Sequence, residues 1–360
     1  LLLSASISVF IAPDLVSALG VWKAYFVEPM LLFFVVRHEL NHNNLTAEKL
    51  FEALGVTAII LSVVGVMQWL TGTGLPIPWD IERRVTSVFD YPNALGLFLG
   101  PVVVIGAVTL LSPFLARQSL GDGGRSVASD GAKAPMKLLW GATVLLSSIA
   151  IILAQSEAAI VSVIATLLIA GFLYRKTRVL SLSLVVLSIV TTLLFPPLFQ
   201  KLTLQDYSGQ VRLSQWSETI VMLQDHWLLG AGLSGYPTVF DPYHQATHLE
   251  IFQYPHNVVL NIWVELGVLG LVAFGLLAYQ VVVLLRGSQR PTKQSFHSKI
   301  ASVASLPRND EAIAILALLQ MTIHGLVDVP YFKNDLAILT WILLAIVLTY
   351  ARSTTPTTSS

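Results

Sequence analysis

Three basic residues in this chain have the type and setting to do chemistry: His256, Arg84 and Arg212. His256 stands in Tyr254-Pro255-His256-Asn257, directly ahead of an almost wholly apolar run from Val258 to Leu285. That run is long enough to cross a bilayer, so the His-Asn doublet sits at the N-terminal mouth of a membrane helix. A neutral imidazole is the usual base for taking a proton from a hydroxyl, and a helix N-terminus attracts anions. Arg84 lies in Glu82-Arg83-Arg84-Val85-Thr86-Ser87-Val88-Phe89-Asp90-Tyr91-Pro92-Asn93, just before another apolar run. Arg212 lies in Gln210-Val211-Arg212-Leu213-Ser214-Gln215-Trp216. A guanidinium offers planar, permanently charged donors suited to phosphate oxygens. The plainer roles for the same residues are contact with lipid headgroups for the two arginines, and a helix cap or a loop hydrogen bond for His256.

The elements that must place these groups are membrane helices. The 360 residues are 54% hydrophobic and 12% charged, a balance that suits a polytopic membrane protein and not a soluble domain. Without cysteine there is no disulfide framework, thiol nucleophile or thiolate metal site. A formal net charge of zero gives no bulk attraction to nucleic acid. Apolar runs of spanning or near-spanning length cover 1–12, 15–36, 51–70, 93–115, 138–154, 158–174, 179–198, 258–285, 310–328 and 334–351. The expected fold is therefore an all-α, polytopic integral membrane helix bundle, a single membrane domain over 1–360 with about ten transmembrane helices. The first run begins at Leu1 without a Met. It reads as a truncated helix with one or more helices preceding it, not as a signal peptide. Runs 138–154 and 158–174, joined only by Gln155-Ser156-Glu157, predict a tight helical hairpin.

Charge orients the bundle. Segments 37–50, 116–137, 175–178 and 286–309, with the tail after 351, hold fifteen Lys and Arg, against five in 71–92, 199–254 and 329–333. The two sets alternate as ten spans require, so the first set is expected inside and His256 outside. The tail 352–360, rich in Thr, Ser and Pro, is expected to be disordered. Segment 199–254 is the largest external loop. Within it Trp216, Ile220, Leu223 and Trp227 recur at helical spacing, which predicts an amphipathic helix at about 211–228 on the outer surface. Gly230-Ala231-Gly232-Leu233-Ser234-Gly235 spells a dinucleotide-type glycine pattern. It follows a helix with no strand before it, so a turn folding the loop back is the better reading.

Further polar residues are candidates of a second rank. Asp80 and Glu82 could pair on a metal, but the adjacent Arg83 and Arg84 favour local ion pairing. Asp241, His244 and His248 could hold zinc, but lack an inserted Glu and have Pro242 nearby. Neither set reads as a metal site, and no cofactor is expected. Lys23, Glu28, Glu157 and Glu265 are costly within spans and call for a role; Glu265, about two turns below His256, could support the site or pair within the bundle. His324 and Asp328 are four apart, on one face at the outer end of their run, where they could line the same cavity or cap the helix.

His256-Asn257, nine residues, Gly267, two residues and Gly270 form a pattern that resembles the O-antigen ligase and O-antigen polymerase family of membrane glycosyltransferases, with Leu271 where the family pattern has a small or polar residue. Small residues one turn apart let helices approach closely. Arg84 before its Pro-Asn helix start, and Arg212 at the head of the large external loop, resemble the family's two arginines; the likeness spans roughly 80–350. The resemblance implies an undecaprenyl-pyrophosphate-linked glycan as donor and a glycan, lipid or protein hydroxyl as acceptor. It implies His256 as base, Arg84 and Arg212 on the pyrophosphate, and Asn257, Glu265, His324 and Asp328 in support. The site would face the periplasmic side of the plasma (inner) membrane, with neither ATP nor metal required. Ligation to lipid A core, polymerisation of repeat units and transfer to protein Ser or Thr all occur within the family. A transporter or lipid flippase is a second class, favoured by the intramembrane charges and disfavoured by the uneven outer loop and absence of repeats.

Overall fold

The structure, a computed structural model, describes residues 1–119, 134–174, 176–245, 252–287 and 310–353. Most of the expected inner loops 116–137 and 286–309, as well as His248 and the tail from 354, lie outside the described residues. Those described form helices and turns without a strand. In chain order these are α1 (Leu2–Ile11), α2 (Leu15–Trp22), a π turn (Lys23–Val27), α3 (Glu28–Asn41), α4 (Ala47–Thr71), α5 (Pro92–Ser119) and α6 (Ala134–Leu153). Then come α7 (Glu157–Leu173), α8 (Arg178–Leu194), α9 (Pro196–Leu202), α10 (Tyr207–Asp225), α11 (Tyr236–Phe240), α12 (Val258–Gly287), α13 (Asp310–His324) and α14 (Asn334–Ser353). Every apolar run read from the sequence reappears as helix within a few residues.

Five described helices are long and apolar enough to cross a membrane: Leu15–Asn41, Ala47–Thr71, Pro92–Leu111, Ala134–Leu153 and Val258–Val281. Leu2–Ile11, Glu157–Leu173 and Asn334–Tyr350 are apolar but shorter. The expected run 179–198 is cut where Pro196 begins a new helix, and the chain turns through 107° there. Proline lacks the N–H that would continue α8.

The described chain divides into two compact units, the first made of Leu1–Phe33, Ser183–Val283 and Gly325–Trp341, the second of Phe34–Leu182, Leu284–His324 and Ile342–Ser360. In the second, α5 is the central helix, packed against α4, α6, α7 and α13. Leu95, Leu97, Leu99, Val102, Val104 and Ile105 are buried along it. Small residues permit the closeness: a Cβ on Gly96 would meet the Ser156 hydroxyl, and one on Gly100 the Gln320 amide. Gln320 in turn donates to Ser162 Oγ at 2.8 Å. The expected hairpin forms, α6 and α7 meeting at Gln155 in a left-handed backbone (φ 53°).

In the first unit an aromatic cluster joins Phe26, Phe274, Tyr331 and Phe332. Tyr331 donates to the Tyr25 carbonyl at 2.9 Å and accepts from the Trp341 indole at 3.0 Å. Lys23 meets Glu28 at 3.5 Å across the π turn, so these two charges of the first long span pair with one another.

The helix that carries His256 at its mouth is broken at Gly267, whose φ of 64° and ψ of −169° are not helical. The sequence suggests a packing glycine there; the structure instead has the loop after α10 seated against the break. Ala231 N donates to the Val264 carbonyl (2.7 Å), and Val268 N to the Leu228 carbonyl (3.1 Å). The Trp263 indole donates to the Trp227 carbonyl at 2.7 Å. A Cβ on Gly267 would run into the Leu228 carbonyl, and one on Gly230 into that of Val264. The glycine-rich stretch 230–235 is thus the turn that folds the loop back onto α12.

Candidate functional site

Asn257, not His256, caps α12. Its Oδ1 accepts from Val259 N (3.0 Å) and Leu260 N (3.1 Å), and its Nδ2 donates to the Leu326 carbonyl at 3.0 Å. The Val258 amide donates to the Gly325 carbonyl at 2.7 Å. Two of the orphan donors at the helix start are thereby satisfied by the Asn side chain and one by a neighbouring loop.

With the cap supplied by its neighbour, His256 is held for something else. Its backbone is left-handed, φ 46°, a conformation that costs a non-glycine residue free energy and gathers at functional positions. The ring lies edge-on to Tyr254 (4.8 Å between centroids) and Phe252 (5.1 Å). Nδ1 faces Oδ1 of Asp328 at 3.5 Å, with the carboxylate side chain 1% exposed and the imidazole 18%. Neither ring nitrogen makes a hydrogen bond among the described residues, and Nδ1 is buried. A buried carboxylate behind one ring nitrogen, and an unengaged nitrogen on the other side, is the arrangement of an oriented base.

Asp328 is positioned by a turn. α13 ends at His324, and Gly325–Phe332 is irregular. His324 and Asp328 therefore do not share a helical face as their spacing suggests, because the helix stops at the first of them and Gly325 follows. Asp328 Oδ1 also accepts the Val329 amide at 2.8 Å. His324 is buried at the end of α13 and belongs to the second unit.

Arg212 is on α10, the helix tied to the His256 segment by two bonds: Gln215 Nε2 to the Tyr254 carbonyl (3.2 Å) and the Trp216 indole to the Pro255 carbonyl (2.6 Å). Arg212 Nη1 donates to Ser208 Oγ at 2.7 Å, while its Nε is buried without a partner. The expected helix is present, three or four residues earlier than the sequence indicates. Its inner face is Gln215, Thr219, Met222 and Leu223, while Ile220 and Trp227 of the apolar stripe are exposed. Polar residues turn inward because they are bonded there: Thr219 Oγ1 donates to the Gln215 carbonyl (2.6 Å) and lies 2.8 Å from the Tyr236 hydroxyl. Burial pushes the Tyr236 pKa well above its ordinary value.

Arg84 belongs to the second unit. Its Nε donates to the Ala154 carbonyl at 3.1 Å, and Nη2 reaches the Gln155 carbonyl at 3.5 Å. The guanidinium stacks over Trp79, 5.0 Å from the ring centre. Arg84 thus satisfies carbonyls just past the end of α6. Burial lowers its pKa, with Glu82 and Glu157 opposing the shift.

Glu265 is buried in α12 and accepts the Ser234 amide at 2.7 Å, which fixes the glycine-rich turn. One turn above it, Asn261 is fully buried with neither its amide nitrogen nor its oxygen bonded. Asn257, Asn261 and Glu265 form a polar line at four-residue intervals down an apolar helix. Asn261 is the residue a reading by motif passes over; an amide in a membrane run is the signal that finds it. Among the described residues no group of three potential metal ligands converges. His244 Nδ1 meets Glu218 Oε2 at 3.0 Å.

Residues 142–275 match the family model described as O-Antigen ligase. Arg212, His256, Asn257 and Glu265 lie within the matched segment; Arg84, His324 and Asp328 lie outside it. No curated protein matches the chain.

Proposed function

We propose, for a chain that carries an O-antigen ligase domain, that it transfers a glycan from undecaprenyl pyrophosphate to an acceptor hydroxyl. The reaction would take place at the outer face of the plasma membrane, the side to which the basic residues assign the 199–254 loop. The observation that carries this reading is His256: uncapped, left-handed, backed by buried Asp328 at 3.5 Å and unengaged at Nε2.

In the step proposed, the acceptor oxygen forms its bond to the sugar C1 while its proton passes to Nε2 of His256. The C1–O bond to pyrophosphate breaks and its electron pair goes to the leaving group. Arg212 meets the charge that develops there, where a preorganised donor is worth most. The imidazolium formed on His256 is stabilised by Asp328. Nothing in this sequence of events calls for a metal or a cofactor. Within the family's range, the acceptor is lipid A core, a growing repeat-unit chain or a protein Ser or Thr. An O-antigen ligase domain offers no support to a transporter or flippase reading.

The test is transfer from a purified undecaprenyl-pyrophosphate glycan by the full-length protein in nanodiscs, with each acceptor class offered. His256→Asn tolerates the left-handed backbone, so it should keep the melting temperature and lose turnover. EDTA should leave wild-type turnover unchanged. Near-wild-type transfer by His256→Asn would overturn the base. Loss in EDTA, restored by a divalent ion, would replace the arginine clamp with a metal at Asp80 and Glu82 or at His244.

A further inference from the structure

A small cavity adjoins the His256 mouth within the first unit. Ser214, Gln215 and Glu218 of α10 line one side, and Phe240, His244 and Phe252 the other. Its free room is about 10 Å³, enough for one water or one hydroxyl group. Phe252 is shared: one side of it bounds the cavity and its ring contacts His256. Arg212 is the residue between cavity-lining Val211 and Ser214's own turn of α10.

The chemistry of the lining is set by proton accounting. Gln215 is 5% exposed. Its Nε2 donates to the Tyr254 carbonyl at 3.2 Å. Its Oε1 is buried and accepts from nothing. The Tyr236 hydroxyl, which also neighbours the Gln215 side chain, does not supply that proton: Thr219 Oγ1 gives its hydrogen to the Gln215 carbonyl, so the Tyr236 O–H points to Thr219. Glu218 presents further acceptor oxygens, but Oε2 is met by His244 Nδ1 (3.0 Å) and Oε1 by the Gln245 amide (3.2 Å). The cavity therefore lacks one hydrogen-bond donor. A phosphate or carboxylate would bring only acceptors against Gln215 and Glu218. An ammonium would seek a carboxylate that is already engaged. A neutral hydroxyl fits in size and polarity, and the half-buried Phe252 ring suits the apolar face of the ring that bears it.

We propose that this cavity is a sugar subsite beside the reaction centre, in which Gln215 Oε1 accepts one hydroxyl of a saccharide ring. The proposal rests on the transferase reading above and adds to it the group that recognises the sugar. The hydroxyl belongs to the donor glycan or to a saccharide acceptor; the chemistry is shared, and the test separates the two.

The experiment uses the full-length protein in nanodiscs. Saturation-transfer NMR with methyl glycosides of glucose, galactose, N-acetylglucosamine and rhamnose reports sugar binding, and phosphorus NMR with inorganic pyrophosphate reports the anion site. Gln215→Leu removes the acceptor, Gln215→Glu keeps an acceptor while giving up the Tyr254 bond, and Val211→Phe fills the cavity from the α10 side. At least one glycoside should bind the wild type. Its affinity should fall about tenfold in Gln215→Leu, the usual size of one neutral hydrogen bond. It should vanish in Val211→Phe and persist in Gln215→Glu, with pyrophosphate binding unchanged in Gln215→Leu. In the transfer assay Gln215→Leu should raise one KM, and whether that is the donor's or the acceptor's names the source of the hydroxyl. No glycoside binding by the wild type, or equal binding by all variants, would overturn the subsite and leave a water pocket. Sugar binding without pyrophosphate binding would sustain the subsite while removing the transferase reading's anion clamp.

Discussion

Replacing Asp328 by Asn isolates the charge behind His256. Asn keeps the side-chain shape and an oxygen for the Val329 amide, which the carboxylate accepts at 2.8 Å. Before transfer the carboxylate at 3.5 Å mainly orients the imidazole. Once Nε2 holds the acceptor's proton, the pair attracts with roughly 332/(20 × 3.5), about 5 kcal/mol, at an effective dielectric of about 20. His256 is 18% exposed, so water screens part of this, leaving about 2–4 kcal/mol. That corresponds to a fall in kcat of roughly 30- to 1,000-fold. The attraction arises only as the proton moves, so the loss should fall on kcat and spare KM. The measurement is steady-state transfer from the carrier-linked glycan in nanodiscs, with melting temperature as the control for folding. A kcat within threefold of wild type, in a variant of unchanged melting temperature, would refute Asp328 as the group that stabilises the imidazolium.

Arg212→Lys should cost on the order of 10²-fold in turnover, because the ammonium keeps the charge and loses the planar fork; turnover equal to wild type would reduce Arg212 to a lipid-headgroup contact. Gly267→Ala should lower the melting temperature by several degrees, since its Cβ meets the Leu228 carbonyl at φ 64° and would displace the loop from α12. An unchanged transition would show that the break tolerates a side chain. Single cysteines at exposed Gln224 and Lys176 should react with an impermeant thiol reagent on opposite sides of the membrane, Gln224→Cys from outside. The reverse labelling would invert the topology that the basic residues assign.

The helices were legible because lipid leaves the backbone few choices. A run of apolar residues that must satisfy its own amides becomes helical wherever it stands, so 47–71, 134–153 and 258–287 follow directly from hydropathy. Breaks were less legible. Pro196 announces the end of α8 through its missing N–H, but Gly267 in an apolar run looks the same whether it packs against a helix or opens one. What decides is a partner some forty residues earlier, the Leu228–Ala231 backbone, whose N–H and carbonyl take the bonds that the helix gives up. Spacing alone did not show which face of α10 turns into the protein. The Trp216 and Ile220 stripe is the apolar one, yet Gln215 and Thr219 point inward, because bonds to Tyr254 and Tyr236 offset their burial.

The same accounting separates residues that hold the site together from residues free to act in it. Asn257 and Asn261 are identical side chains one turn apart on α12, and no pattern of types distinguishes them. Asn257 has both ends of its amide in use, on the helix start and on the Leu326 carbonyl; it is architecture. Asn261 has neither end in use, in a setting where an unbonded amide is expensive. Gln215 divides within itself: its Nε2 bonds to the Tyr254 carbonyl, while its Oε1 is buried without a hydrogen bond; His256 Nδ1 is likewise buried without one, 3.5 Å from Asp328. A sequence states which polar groups enter the membrane's edge. Only the pairing of those groups, settled by residues tens of positions away, shows which atoms are left over; those of Asn261 and Gln215 in the first unit are among them, as are those of Thr86, Trp140, Ser156 and Gln320 in the second.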